Sequence, residues 1–147
     1  MRNIETATRA TIGIYGMTVS NTADLAGRRV LVVEDEALVA MLLEDMLEDL
    51  GCKVLGPVMR VGEALAFVAE NGSEIDVAIL DVNLAGERSF SVAEALRARG
   101  APFVLSTGYD DVGIDERWRD GPILRKPFLA NQLEDILREA LGVAPAT

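Results

Sequence analysis

The sequence predicts a single α/β domain in which five parallel strands form a sheet with helices on both faces. Three observations carry that reading. First, five short aliphatic runs alternate with stretches of helical periodicity, so strand and helix follow one another five times. Second, the runs are uniformly apolar rather than alternating, which is how strands covered on both faces read. Third, 147 residues, 50% of them hydrophobic, suffice for a full core without disulfide or metal staples. Crossovers between parallel strands are right-handed, two doubly wound layouts are available, and five strands favour the order 2-1-3-4-5.

Val30-Leu31-Val32-Val33 is the first run and ends abruptly in Glu34-Asp35-Glu36. The next helix places Leu38, Val39, Leu42, Leu43, Met46 and Leu50 on one face and Glu44, Asp45, Glu48 and Asp49 on the other, and Gly51 stops it. Lys53-Val54-Leu55 begins a second strand, ended by Gly56-Pro57. Val61, Leu65 and Val68 carry a second helix, closed at Asn71-Gly72. Val77-Ala78-Ile79-Leu80 runs into Asp81, and a loop with Gly86 leads to a helix containing Val92, Ala93 and Leu96. Phe103-Val104-Leu105 ends in Ser106-Thr107-Gly108. Residues 109–121 make a poor helix, broken by Gly113 and Gly121, with Trp118 expected to pack at its end. Ile123-Leu124 ends in Arg125-Lys126-Pro127, and Leu129, Leu133, Ile136, Leu137 and Leu141 mark the last helix.

This regular pattern spans residues 28–142, with 143–147 as a tail. Residues 1–27 are rich in Thr, Ala, Gly and Asn and carry no helical stripe, so they read as a mobile extension. Within it Thr11-Ile12-Gly13-Ile14-Tyr15 alternates weakly, and Met17 offers an alternative start.

Composition removes several function classes. The chain has 24 acids against 14 bases, a formal charge of −10, which disfavours nucleic acid and anionic membrane as direct partners. There is no His, which excludes His-dependent triads and His-ligated zinc, and the single Cys52 excludes an internal disulfide. No apolar run reaches a membrane span, and no cleavable leader is evident, so a soluble cytoplasmic protein is expected.

In parallel strands the carboxyl ends share one edge. Glu34 and Asp35 follow the first strand there, Asp81 the third, Thr107 the fourth and Lys126 the fifth. Each alone reads as a helix cap or a solvated loop residue; converging on one crevice, they read differently. In the order 2-1-3-4-5 the ligand-binding switch point lies between strands one and three, which carry the carboxylates. Three crowded carboxylates repel one another or bind a proton. A hard cation such as Mg²⁺ relieves that conflict through oxygen ligands. With an ammonium and a hydroxyl alongside, the set suits phosphoryl transfer, which needs positioning and charge neutralisation. Asp81, single and central, is the candidate nucleophile for an aspartyl phosphate.

These residues resemble the receiver domain of two-component response regulators. The likeness rests on Val30-Leu31-Val32-Val33-Glu34-Asp35-Glu36, the Asp81 strand, Ser106-Thr107-Gly108 and Lys126-Pro127, in that order. It implies a flavodoxin-like fold and phosphorylation of Asp81 by a histidine kinase or histidine phosphotransferase. It assigns Mg²⁺ to Asp35, Asp81 and the backbone carbonyl of Asn83, with Glu34 through water, and phosphoryl contacts to Thr107 and Lys126. The chain departs from the family's pattern at three places. Ala85 stands where the family often has Pro, Ser89 where it often has Gly, and Ile123 where its switch aromatic usually lies. Tyr109 and Phe103, flanking the Thr107 strand end, are the replacement switch candidates, as in an alphaproteobacterial single-domain subgroup with a Phe-x-x-Thr-Gly-Tyr-like motif.

The expected function is thus a single-domain response regulator, monomeric or weakly dimeric. It signals by contact with a downstream protein, as a phosphate sink or as a relay. It is a phosphoacceptor that assists its own phosphorylation and dephosphorylation rather than an enzyme. The alternative is a phosphohydrolase with an aspartyl-phosphate intermediate, which would want an acidic residue where Asn83 stands. A flavin carrier would want a phosphate-cradling loop where Glu-Asp-Glu stands.

Overall fold

The computed structural model describes residues 24–108, 114, 116–119 and 121–144. Five parallel strands, β1 (Arg29–Val33), β2 (Lys53–Val58), β3 (Val77–Asp81), β6 (Phe103–Thr107) and β7 (Ile123–Arg125), form the main sheet. Its order is β2-β1-β3-β6-β7, which is the expected 2-1-3-4-5 layout. The helices are α1 (Ala37–Asp49), α2 (Val61–Asn71), α3 (Phe90–Ala98), α4 (Glu116–Arg119) and α5 (Ala130–Leu141).

Alternate side chains of each strand leave the sheet on opposite faces. From β1, Leu31 and Val33 join one core with α2, α3 and Trp118 of α4. Val30 and Val32 join the other with α1 and α5. The uniform apolarity of the strands is therefore two cores read in alternation. Each fully buried aliphatic side chain contributes roughly 1.5–3 kcal/mol.

Three local expectations need correction. The apolar face of α1 is rotated: Ala40, Leu43 and Leu47 are buried, whereas Leu38 and Leu42 are 80% and 47% exposed. Leu43 and Leu47 pack with Val30, Val32 and Ile79 in the core, and the apolar residues on the adjoining side of the helix, Met41 among them, are left exposed. The start of the domain also moves. Leu25 is wholly buried in the α1–α5 core, its carbonyl 3.5 Å from the Cys52 thiol, so residues assigned to the extension by composition belong to the packed domain. The rest of that extension, residues 1–23 with Tyr15 and Met17, lies outside the described residues.

The third correction is the loop after β3, which is a small antiparallel hairpin of β4 (Asn83–Leu84) and β5 (Glu87–Arg88). Its two turn residues, Ala85 and Gly86, have φ of +50° and +86°. Positive φ at both central residues is the signature of a type I′ hairpin turn, whose twist matches that of the flanking strands. Proline, locked near −65°, is incompatible with the Ala85 position.

Candidate functional site

Sheet pairing continues past the strand ends and fixes the residues just beyond them. The Glu34 N–H donates to Val58 O at 2.9 Å, the Val82 N–H to Ser106 O at 3.0 Å, and the Lys126 N–H to Thr107 O at 2.8 Å. Glu34, Asp81 and Lys126 are thereby held on a rigid edge rather than on free loops. Asp35 is half-buried, and Glu34, Asp81 and Thr107 are buried.

The charged groups meet. Lys126 Nζ donates to Asp81 Oδ2 at 3.0 Å. It lies 2.9 Å from Glu34 Oε1, a charge contact off the angle of a hydrogen bond, and 3.5 Å from Glu36 Oε1. Glu34 Oε2 accepts the Glu36 N–H at 3.0 Å, Asp81 Oδ1 the Asn83 N–H at 3.1 Å, and Asp35 Oδ2 the Ala85 N–H at 3.0 Å. The last bond spans from the first strand's end to the hairpin tip. A proline at that position would have no N–H to give. The departure at Ala85 thus supplies both the turn and a donor.

Glu34, Asp35 and Asp81 each offer a carboxylate oxygen, and the three atoms lie within 4.8 Å of one another. Burial pushes Glu34 up to about 7, with the neighbouring Asp81 adding to the rise against the pull of the Glu36 N–H and Lys126. Asp81 is raised as well, chiefly by burial, despite Lys126. Burial opposes the charge on Lys126, but the Glu34 and Asp81 carboxylates outweigh it and hold the ammonium protonated. An all-oxygen donor set with this surplus of negative charge fits a hard divalent cation. The hydroxyl of Thr107 is buried without a hydrogen-bond partner, as is that of Ser106. Such a group costs about 1–3 kcal/mol unless something satisfies it.

The profile of the response regulator receiver domain matches residues 30–138. The chain belongs to the response regulator receiver family. Among solved receiver structures, the solution structure of SdrG from Sphingomonas melonis Fr1 is 51% identical, with a TM-score of 0.72. That match covers 80% of this chain and 98% of the SdrG chain. The receiver domain of PhyR from Erythrobacter litoralis is 25% identical with a TM-score of 0.66, covering 81% of this chain and 93% of that one. The transcriptional regulatory protein PdtaR of Mycobacterium tuberculosis is 33% identical over 110 residues, covering 72% of this chain and 53% of PdtaR. This receiver domain spans about half the length of the curated relatives it matches first. Its relatives are regulators of two-component signalling, and receiver domains bind Mg²⁺ at an acidic cleft of this kind. No helix among the described residues is long and apolar enough to cross a membrane.

The structure brings together five sequence-predicted residues: Glu34, Asp35, Asp81, Thr107 and Lys126. Asn83 stands beside them in β4, held by its N–H to Asp81. Phe103 is elsewhere. It pairs in register with Ala78 at the amino end of β6, while Ser106 pairs with Asp81 at the other end. Four residues of strand, about 13 Å, separate it from Thr107. Its ring packs 6.0 Å from that of Trp118, so it does not flank the crevice. Tyr109 lies outside the described residues. Sequence reasoning had no role for Glu36, which approaches Lys126, or for the hydroxyl of Ser89, which donates to Asp81 O at 2.6 Å. A serine in place of the family's usual glycine was the signal for the latter.

Proposed function

We propose that this receiver domain accepts a phosphoryl group on Asp81 from a histidine kinase or histidine phosphotransferase and signals by protein contact. The carrying observation is the placement of Asp81: a buried carboxylate at the switch point, hydrogen-bonded to Lys126 and clustered with Glu34 and Asp35. In the transfer, the P–N bond of a donor phosphohistidine breaks as a P–O bond to an Asp81 oxygen forms. Glu34, Asp35, Asp81 and the Asn83 carbonyl would hold Mg²⁺, which supplies charge neutralisation for the incoming phosphoryl group. Lys126 contributes a second positive charge, and the unpartnered Thr107 hydroxyl gains an acceptor in the phosphoryl oxygens.

The donor's docking surface is read from α1. Leu38, Met41 and Leu42 are exposed on this helix, and Val39, Leu42, Pro127 and Phe128 line an apolar cleft of about 340 Å³ that also touches Glu36 and Lys126. An exposed apolar strip that continues into the reaction site suits a helical donor presenting its phosphohistidine. A hydrolase is disfavoured because Asn83 provides no acid two residues after Asp81.

The test is labelling with acetyl phosphate. The protein is expected to gain one alkali-labile phosphoryl group by intact mass, only with Mg²⁺ present, and Asp81→Asn is expected to gain none. Full labelling of that variant would sink the assignment.

A further inference from the structure

Ser89 occupies the N-cap of α3, where a serine oxygen normally accepts an N–H of the first helical turn. It makes no such side-chain bond. Its hydroxyl instead donates to the main-chain carbonyl of Asp81 at 2.6 Å, and its N–H donates to the Val82 carbonyl at 2.9 Å. The residue is wholly buried. One side chain and one amide thus tie two consecutive carbonyls, beginning with that of the phosphoacceptor, to the start of a helix.

Between these ties lies the β4–β5 hairpin, and its amides orient the site. The Asn83 N–H holds Asp81 Oδ1, and the Ala85 N–H holds Asp35 Oδ2. Ser89 closes the base of the loop that sets two of the three clustered carboxylates and carries the Asn83 carbonyl. Glycine at this position would keep the amide bond to Val82 but not the hydroxyl bond to Asp81. A cap residue whose hydroxyl is diverted from its own helix to the reacting residue breaks a local rule at a functional site, where such violations are expected.

We propose that Ser89 is a positioning residue for the chemistry at Asp81, acting through the Asp81 carbonyl and the hairpin to hold the carboxylates in the arrangement that takes Mg²⁺ and phosphoryl group. This rests on the reading of Asp81 as the phosphoacceptor. The experiment compares the full chain with Ser89→Ala and Ser89→Cys. Cysteine keeps the volume and exchanges a strong donor for a weak one. Mg²⁺ affinity is measured by calorimetry, the acetyl phosphate labelling rate at saturating Mg²⁺ by mass, and stability by metal-free melting. Ser89→Ala is expected to weaken Mg²⁺ binding about tenfold and to slow labelling comparably, with Ser89→Cys impaired in the same two readouts. If Ser89→Ala does not fold, Ser89→Cys decides alone. Variants that melt lower but stay within twofold of wild type in both Mg²⁺ affinity and labelling overturn the proposal, because a merely structural bond would do that. A wild-type chain that fails to label overturns the Asp81 reading itself.

Discussion

Lys126 Nζ lies between two buried carboxylates, 3.0 Å from Asp81 Oδ2 and 2.9 Å from Glu34 Oε1. The lysine comes from the end of the last strand of the sheet and the acids from the ends of its first and third, so the contact exists only when the sheet is complete. It makes Lys126 the resident counter-ion of the cleft.

Lys126→Met is therefore expected to destabilise the metal-free protein by about 2 kcal/mol or more, since removing one partner leaves buried charge uncompensated. Added Mg²⁺ is expected to recover part of that loss by supplying positive charge to the same carboxylates. Melting with and without Mg²⁺ measures both effects. A variant as stable as wild type without metal would show that the cleft carboxylates are already relieved by other means.

The raised Glu34 sets a pH dependence of definite sign. The folded state keeps its proton up to about pH 7, whereas the unfolded chain releases it near 4.5. Over that window the folded state binds more protons, so stability falls as pH rises and the contribution is gone above pH 7. The raised Asp81 adds in the same direction. Wild type is expected to lose on the order of 2–3 kcal/mol relative to Glu34→Gln between about pH 4.5 and 7 in the absence of metal. Mg²⁺ stabilises chiefly at the upper end, because its ligands must be deprotonated. Parallel urea titrations of the two proteins across this range give the difference directly; parallel pH profiles would contradict the assignment.

The exposed strip of α1 separates donor recognition from chemistry. Leu42→Asp and Met41→Asp add charge at positions already 47% and 58% exposed. Their stabilities are expected to fall by no more than about 1–2 kcal/mol, from partial loss of burial and the poorer helix propensity of Asp, which leaves both proteins folded. Transfer from a protein phosphodonor is expected to slow at least tenfold more than labelling by acetyl phosphate, because only the protein donor needs the apolar surface. Equal slowing with both donors would remove α1 from the docking surface.

The sequence alone determined the order of the five main strands and the helices between them, the parallel sheet and the edge at which Glu34, Asp35, Asp81, Thr107 and Lys126 meet. These come from periodicity and from the common direction of the strands, which local residues encode. Tertiary structure decided the rest. Which leucines of α1 are covered depends on how much sheet lies beneath the helix, so Leu38 and Leu42 were legible as apolar but not as exposed. Leu25 reads as part of a polar extension until the α1–α5 core closes over it. Phe103 is near Thr107 in sequence, but a strand carries its residues apart by about 3.3 Å each, and that rise separates them. The sequence marked Ala85 and Ser89 only as departures. Their partners, Asp35 and the Asp81 carbonyl, lie 50 and eight residues away. A hydrogen bond has no sequence signature when the fold alone brings donor and acceptor within reach.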